Sequence, residues 1–274
     1  MSPAKRAADF TLTLLTCDPA WIRAGDEAGI QRIGIDIERR GKWKRQGGLA
    51  GARISRHRLE DLALVAARVR RARVFVRLNP LHAGTPEEIE TALALGATSL
   101  MLPQFRSPAE AARFVAWVKG RAEVTLLLET GAAVARLRKI VALAGVDEIM
   151  IGLNDLALEL RVSGPMELAA SDLMRHLSAE IRGAGIRFGF GGVAGRHTRG
   201  LPVPPDLLLA RQAALKSQSA WLARSFFGPV PQPAGMKAGI RRLRDRLRYW
   251  LAQPAEITDR AARRLDRVLQ RNGP

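Results

Sequence analysis

Residues 124–155, VTLLLETGAAVARLRKIVALAGVDEIMIGLND, decide the fold, and they predict a strand, a helix and a second strand. The runs at 124–128 and 149–151 are short, uninterrupted and rich in Val, Ile and Leu. Such runs are typical of strands that are buried on both faces of a parallel sheet. Apolar residues between them recur at helical spacing, and Gly145 ends the predicted helix.

An acidic residue follows each of these strands, Glu129 after the first and Asp155 after the second. Neighbouring parallel strands lie about 4.8 Å apart, so acids at their carboxyl ends can share one hard divalent cation such as Mg²⁺. The alternative is a purely structural role, because Thr130 or Asp155 could cap the helix that follows.

The rest of the chain repeats this alternation. Helical patterns separate strand-like runs that begin near residues 10, 32, 74, 99, 124, 148, 187 and 219. Eight alternations predict an α/β fold, a closed (β/α)8 barrel with a C-terminal helical extension. We assign residues 1–228 to the barrel, 229–236 to a Pro-rich linker and 237–274 to a basic amphipathic helical tail. The apolar stripe of the tail is expected to pack on its own barrel or on a neighbouring subunit.

Composition limits the classes of partner. The net charge of +18 invites a nucleic-acid interpretation, but the tail alone carries +7 and the remainder is scattered without a reading element. We therefore expect no sequence-specific nucleic-acid binding. Cys17 is the single cysteine, and no segment approaches the roughly 20 apolar residues of a membrane span. These features, with an N-terminus that lacks an apolar signal core, predict a cytoplasmic protein.

A barrel carries its chemistry at the carboxyl ends of its strands. That rule selects Asp36, Glu38, Arg77, Asn79, Gln104, Glu129, Asp155, Gly191, Gly192 and Arg224. The two glycines could present backbone N–H groups to a carboxylate or phosphate, or serve tight packing. The basic residues of the long loop after the second strand either receive an anionic substrate or form a solvated lid; they are Lys42, Lys44, Arg45 and Arg53.

Four motifs at strand ends carry a family resemblance: VRLNP (76–80), ATSLMLPQFRSPAEA (97–111), LLLETGAAV (126–134) and GVDEIMIGLNDLAL (145–158). They resemble the HpcH/HpaI aldolase/citrate lyase family, and the likeness extends over roughly residues 10–226. The resemblance implies a metal-dependent TIM barrel that makes or breaks carbon–carbon bonds next to a 2-oxo acid or an acyl thioester. It also implies a homo-oligomer.

The resemblance assigns roles to individual residues. Glu129 and Asp155 match the two carboxylates that bind one Mg²⁺ or Mn²⁺, and Arg77 matches the arginine that holds the pyruvyl oxygen. The chemistry is consistent, because a cation and a guanidinium both stabilise an enolate oxygen. The remaining residues at the strand ends are expected to bind substrate: Asp36, Glu38, Asn79, Gln104, Gly191, Gly192 and Arg224.

One departure from the family concerns the acid–base group. The pyruvate aldolases of the family have an Asp-x-Glu-His run, whereas this chain has Asp36-Ile37-Glu38-Arg39. His57 and His82 lie in predicted loops at the mouth, and either one is a candidate for the missing catalytic base or a solvated loop residue. His197 is a weaker candidate, and His176 falls inside a predicted helix.

The sequence as a whole predicts a divalent-metal-dependent carbon–carbon lyase or aldolase that acts on a 2-oxo acid aldol and an aldehyde. Two alternatives remain. One is a lyase of the acyl-CoA or citrate lyase type, and the other is a barrel of the same family that has lost catalysis and serves in binding or assembly.

Overall fold

The structure is a computed structural model that describes residues 1–42, 45, 55–195, 201, 203–227 and 232–272. Three residues considered above, Lys44, Arg53 and His197, lie outside the described residues, as do positions 229–231 of the expected linker. Within the described ranges, no helix has both the length and the apolar composition needed to cross a bilayer.

Eight parallel strands close into a barrel in sequence order, with β8 pairing back onto β1. The strands are β1 (Thr11–Leu15), β2 (Arg32–Asp36), β3 (Arg73–Arg77), β4 (Ser99–Leu102), β5 (Glu123–Leu128), β6 (Glu148–Ile151), β7 (Arg187–Val193) and β8 (Ser219–Leu222). Each begins within one residue of its predicted start. The predicted (β/α)8 barrel is therefore confirmed.

Helices surround the barrel and extend beyond it at both ends of the chain. They are α1 (Pro3–Ala8), α2 (Pro19–Glu27), α3 (Asp61–Ala66), α4 (Thr85–Ala94), α5 (Pro108–Val118), α6 (Gly131–Val134), α7 (Leu137–Val141), α8 (Leu153–Glu159), α9 (Pro165–Ala170), α10 (Asp172–Gly183), α11 (Pro205–Ala214), α12 (Met236–Leu251) and α13 (Ala255–Asn272). Short 3₁₀ turns occupy Arg224–Phe227 and Pro233–Gly235.

The helix starts follow local chemistry. Asp18 caps α2, because its carboxylate accepts hydrogen bonds from the backbone of Ala20 and Trp21 at 2.8 and 3.1 Å. Ser107 and Glu110 form a capping box at the start of α5. The single helix expected between β5 and β6 is divided into α6 and α7, since the backbone leaves the helical region at Arg136.

The apolar interior has two parts. The larger part lies between the strands and the surrounding helices, and it includes the outward-facing residues of every strand. A smaller cluster fills the inside of the barrel with Phe75, Met101, Leu127 and Met150, and Leu15 and Trp221 pack against it. The barrel is therefore a filled core whose two ends are available for polar residues.

The amino end of the barrel is closed by charged residues that begin the strands. This floor cluster consists of Arg32, Arg73, Glu123, Glu148, Arg187 and Ser219. Arg32 and Glu148 are fully buried, and Arg32 Nη2 lies 2.5 Å from Glu148 Oε2. Ser219 Oγ donates to the other oxygen of Glu148 at 2.5 Å. The network holds six strands together below the apolar interior.

The C-terminal helices pack on the barrel of their own chain. The apolar stripe of α12 is buried against α1, α2 and α11, and it comprises Ile240, Leu243, Leu247, Trp250 and Leu251. Arg244 donates to the carbonyl oxygens of Ala7 and Ala8 at 2.6 and 2.8 Å and to that of Gly29 at 3.1 Å. The guanidinium thus ties the tail to the amino end of the barrel.

Candidate active site

Strand register sets the first contact of the mouth. Asp36 and Arg77 are direct neighbours at the carboxyl ends of β2 and β3. Arg77 Nε donates to Asp36 Oδ1 at 2.9 Å, and Nη2 donates to Oδ2 at 2.6 Å. This bidentate pair fixes the plane of the guanidinium and leaves Nη1, which lies 3.5 Å from Glu38 Oε2. The predicted enolate-binding arginine is therefore held rigidly by its neighbour.

Two cationic residues from the chain after β2 reach the same place. Lys42 is buried, and its Nζ lies 3.1 Å from Asp36 Oδ2 and 3.1 Å from Glu38 Oε2. Arg45 Nη2 donates to Glu38 Oε1 at 2.5 Å, and its Nε donates to Asp155 Oδ1 at 3.3 Å. Arg45 thus connects the end of β2 with the residues that follow β6.

Glu129 follows β5 and is only 2% exposed. Its Oε1 accepts a hydrogen bond of 3.0 Å from the backbone N–H of Gln104, which has the left-handed φ of 55°. Gly152 provides the space, because a Cβ at that position would lie 2.4 Å from Glu129 Oε2. The residue after β6 must therefore be glycine if Glu129 is to occupy this position.

Asp155 occupies the first turn of α8, a short distance after β6, and is 8% exposed. It does not serve as the cap of that helix, since the N-cap position belongs to Gly152. Thr130 does act as a cap, because its Oγ1 accepts from Ala133 N at 3.2 Å. A carboxylate in a first helical turn is stabilised by the helix dipole. The Oδ1 atom of Asp155 accepts the hydrogen bond from Arg45 described above.

We call these seven residues the mouth cluster: Asp36, Glu38, Lys42, Arg45, Arg77, Glu129 and Asp155. The cluster has four carboxyl groups and three cationic side chains. Burial would raise the pKa of Asp36, but Arg77 and Lys42 hold it far below its usual range. The pKa of Glu129 is raised to about 8. Burial is the largest cause, the charges of Glu38 and Asp155 also raise it, and Arg77 lowers it by less. A pKa of about 8 keeps Glu129 mostly protonated at pH 7 unless a cation offsets the neighbouring negative charge.

The donor set suits a hard divalent cation. In the described part of the chain, no group of three or more His, Cys, Asp or Glu side chains is arranged around a metal position. Glu129 and Asp155 would supply two carboxylates to such a cation, and water and substrate would fill the other ligand positions, as Mg²⁺ commonly requires. A divalent cation would also offset the charge that raises the pKa of Glu129. The residues therefore fit the metal, although Arg45 already contacts Asp155.

Trp221 lies beneath the arginine of the mouth. The Arg77 Cζ atom is 5.4 Å from the centre of the Trp221 ring, within the range of a cation–π contact. Trp221 also meets Phe75 edge to face, with the ring centres 5.5 Å apart. The sequence analysis did not single out Trp221, whose only signal was its place in the eighth strand.

Asn79 and His82 belong to a network at the start of α4. Asn79 Oδ1 accepts from the backbone of Arg39 and Arg40 at 3.0 and 3.2 Å, and its Nδ2 donates to Glu88 Oε1 at 2.7 Å. His82 Nε2 lies 3.2 Å from the same Glu88 oxygen. The other ring nitrogen of His82 accepts from the backbone of Gly84 at 3.0 Å. Asn79 therefore anchors the chain after β2, and both ring nitrogens of His82 are in contact with protein.

His57 lies against the first acid of the mouth. Its Nδ1 accepts a hydrogen bond of 3.2 Å from the backbone N–H of Asp36 and lies 2.8 Å from Ser55 Oγ. Burial lowers the pKa of His57, so the ring is neutral near pH 7. Arg39, which replaces the family histidine, donates to the carbonyl oxygen of His57 at 2.8 Å. The substituted residue thus holds His57 in place.

The remaining predicted residues occupy the rim. Gly191 has φ of 56°, and together with Gly192 it lies beside an irregularity in the pairing of β7 with β8. The side-chain Nε2 of Gln104 is buried and has no hydrogen-bond partner among the residues that the structure describes. Arg224 begins the 3₁₀ turn after β8 and is exposed. His176 lies on α10, where its Nε2 is 3.2 Å from Glu180.

Three participants were missed or left without a role by sequence reasoning. Gly152 makes room for Glu129, and its only signal was a glycine directly after an apolar strand. Lys42 and Arg45 were recognised as basic loop residues, but their pairing with specific carboxylates was not. Such pairings depend on how the chain after β2 returns to the mouth, which sequence spacing does not reveal.

A closed parallel barrel with a buried ionisable cluster at the carboxyl ends of its strands is the architecture of a (β/α)8 barrel enzyme. The family model for HpcH/HpaI aldolase/citrate lyase matches residues 51–193, more than half of the chain. The protein belongs to this family, whose members are carbon–carbon lyases of the aldolase and citrate lyase type. A comparison with curated proteins found no match.

Solved structures share the fold at low sequence identity. A citrate lyase from Burkholderia xenovorans LB400 is 17% identical with a TM-score of 0.60, and the match covers 96% of this chain and 91% of that one. The HpcH/HpaI aldolase from Desulfitobacterium hafniense DCB-2 is 18% identical with a TM-score of 0.55, covering 77% and 84%. The citrate synthase SbnG is 17% identical with a TM-score of 0.56, covering 79% and 86%. At these identities the likeness extends to the fold alone.

Proposed function

We propose that the protein is a divalent-metal-dependent aldolase that cleaves or forms a carbon–carbon bond in a 2-oxo acid aldol, with an aldehyde as the second product or substrate. The observation that supports this most directly is the mouth cluster. It combines two buried carboxylates suited to a hard cation, Glu129 and Asp155, with the fixed guanidinium of Arg77. Family membership supplies the general reaction class.

The chemistry of cleavage explains why these groups are needed together. Breaking the bond beta to the carbonyl of a 2-oxo acid leaves an enolate, whose negative oxygen must be stabilised. Nη1 is the least engaged nitrogen of Arg77, because Nε and Nη2 donate to Asp36 while Nη1 has only the longer contact of 3.5 Å with Glu38 Oε2. Nη1 can donate to the developing oxyanion without a change in the position of the guanidinium. A cation held by Glu129 and Asp155 would supply Lewis acidity at the same carbonyl.

The acid–base step is assigned to His57 in preference to His82. Arg39 cannot replace the family histidine as a base, because guanidinium remains protonated in proteins. His57 is half-buried, neutral near pH 7 and in contact with Asp36, whereas His82 contacts Glu88 and Gly84. Nδ1 is the acceptor nitrogen of the neutral ring, so His57 accepts the proton of the substrate hydroxyl there once the substrate displaces the hydrogen bond of 3.2 Å from Asp36 N–H.

Exchange of the methyl protons of pyruvate in D₂O, followed by NMR, tests the proposal without knowledge of the aldehyde. We expect exchange that requires added Mg²⁺. The exchange rate should fall by about 100-fold or more in Asp155→Asn and in Arg77→Lys, since each removes a group that stabilises the enolate. Glu90→Gln, on the exposed outer surface of α4, is the control and should exchange at the wild-type rate.

The same experiment separates the alternatives. Exchange that persists in the presence of a chelator would contradict the metal-dependent mechanism. Absence of exchange for pyruvate but metal-dependent exchange for an acyl thioester would favour a lyase of the citrate lyase type. Absence of both, with Mn²⁺ binding also absent by calorimetry, would favour the non-catalytic barrel. The expected homo-oligomer can be measured independently by light scattering.

A further inference from the structure

A second charged cavity lies on the outer wall of the barrel, well apart from the mouth. It has a volume of about 610 Å³ and is formed by the later part of α2, the end of α3, the loop before β3 and the first turn of α12. Because this loop leads into the amino end of β3, the cavity lies toward the end of the barrel opposite the candidate active site. Its cationic lining residues are Arg23, Arg68, Arg70, Arg71 and Lys237.

These five cations outnumber the two acids that line the cavity. Over the ranges that the structure describes, none of them is within ion-pair distance of a carboxylate, although exposed arginines elsewhere are paired, as Arg121 is with Glu90. The two acids of the cavity are Asp26 and Glu27, and the carboxylate of Asp26 is occupied by backbone groups. The excess of positive charge around one concave space gives the cavity a potential that attracts anions.

The cavity is also rigid on its arginine-bearing side. Asp26 is 5% exposed, and its Oδ1 accepts from the backbone N–H groups of Arg71 and Ala72 at 3.0 and 2.8 Å. Its Oδ2 accepts from the backbone of Arg70 at 3.0 Å. A nearly buried carboxylate therefore fixes the loop that presents two consecutive arginines. Fixing the backbone in advance lowers the entropic cost of binding a ligand.

We infer that this cavity binds a small anion that carries two or more linked phosphate groups. Guanidinium groups match phosphate oxygens in charge and in bidentate geometry, which favours arginine over lysine for this purpose. The volume is in the range of small-molecule sites, about 300–1,000 Å³. The shared chemistry of such ligands is an oligophosphate, either inorganic or part of a nucleotide. The C-terminal extension takes part, because Lys237 belongs to α12.

Calorimetric titration of the full chain tests this inference with inorganic triphosphate and ADP, and with sulfate as the reference anion at the same ionic strength. We expect triphosphate to bind at least 10-fold more tightly than sulfate. The double variant Arg70→Gln/Arg71→Gln should weaken triphosphate binding about 10-fold or more. The control is Arg263→Gln/Arg264→Gln, which removes the same net charge from the exposed face of α13 and should leave the affinity unchanged.

Two results would overturn the site. One is equal affinity for triphosphate and sulfate, and the other is an equal loss of affinity in the control variant, which would indicate binding by overall charge alone. Thermal unfolding of both variants checks that the barrel is intact, as expected for exposed side chains. If ADP binds more tightly than triphosphate, the ligand class is a nucleotide; if triphosphate binds more tightly, it is an inorganic oligophosphate, and both results support the inference.

Discussion

Both ends of the barrel contain buried ionisable residues, but the pKa of the buried glutamate shifts in opposite directions at the two ends. In the floor cluster, burial would raise the pKa of Glu148, yet Arg32 and Arg187 hold it below its ordinary value. In the mouth cluster, burial raises the pKa of Glu129 to about 8, and the nearby acids Glu38 and Asp155 add to the shift. Burial is comparable at the two sites, so the sign of the neighbouring charge decides the outcome.

This difference distinguishes the floor cluster, whose role is structural, from the mouth cluster, which is the candidate active site. At the floor, both acids are in ion-pair contact with arginines from other strands of the barrel, so each carboxylate has a cationic partner from its own chain. At the mouth, Glu129 has no cationic partner within ion-pair distance among the described residues, while the other three acids do. A buried acid in a cleft whose pKa is strongly raised marks a candidate functional site.

The largest effect is expected at the floor. Glu148→Gln should lower the free energy of unfolding by about 3–5 kcal/mol, because it removes one of the two carboxylates, Glu123 and Glu148, that neutralise the fully buried Arg32. Urea denaturation measures the change. Arg73→Gln is the matched control, since Arg73 is half exposed and its loss should cost less than about 1 kcal/mol. Equal costs for the two variants would mean that the floor is not a buried ion-pair network.

This floor cluster was not predicted from the sequence, although the eight strands were. Strand positions depend on short apolar runs, which are local and visible. The charged residues that begin the strands, such as Arg32 and Glu148, look like ordinary strand-end residues until the barrel closes. Arg32 and Glu148 are 116 residues apart in the sequence, so their contact depends on how the strands of the closed barrel pair and stagger. The local pattern contains no information on that stagger.

A smaller effect is expected from pH at the mouth. The folded-state pKa of Glu129 is about 8, whereas an unfolded glutamate titrates near 4.3, so the folded state binds the extra proton between these values. Stability should therefore fall as pH rises through this window and level off above pH 8. Between pH 6 and pH 8 the metal-free protein should lose about 2 kcal/mol.

Thermal or urea unfolding with a chelator present, compared with Glu129→Gln, isolates this contribution. The variant cannot ionise and should show a flatter dependence over the same range. Burial lowers the pKa of His57 in both proteins, so its contribution is common to the two curves and cancels in the comparison. Parallel curves for wild type and variant would mean that Glu129 titrates normally.

The smallest effect is expected from substitution of Arg45, a cationic residue of the mouth cluster. Arg45 contacts both Glu38 and Asp155, so a metal ion that binds Asp155 must compete with it. We expect Arg45→Gln to bind Mn²⁺ about 10-fold more tightly than wild type, since a partly exposed ion pair contributes on the order of 1 kcal/mol. Calorimetry with Mn²⁺ measures the change, and Arg121→Gln on the outer surface is the control. Weaker binding by Arg45→Gln would show that Arg45 supports the metal site.

The predicted mouth residues were selected by one rule, namely that they lie at or just after the end of a strand. The rule predicts contacts between side chains correctly where strand pairing fixes the positions of both residues. Asp36 and Arg77 meet because they are register partners. The rule is weaker for loop residues. Asn79 and His82 follow β3, yet their side chains contact Glu88 at the start of α4. Whether the predicted set binds substrate depends on these loop contacts, which the sequence alone does not specify.

The contact between α1 and α12 has a consequence for how the protein is made. Arg244 donates to the carbonyl of Ala7, a residue 237 positions earlier in the chain, and β1 completes the barrel only by pairing with β8. During synthesis the first helix and strand therefore leave the ribosome long before their partners exist. Closure must wait until β8 has been synthesised, and the unpaired edge of β1 remains open to chaperones or to other nascent chains until then.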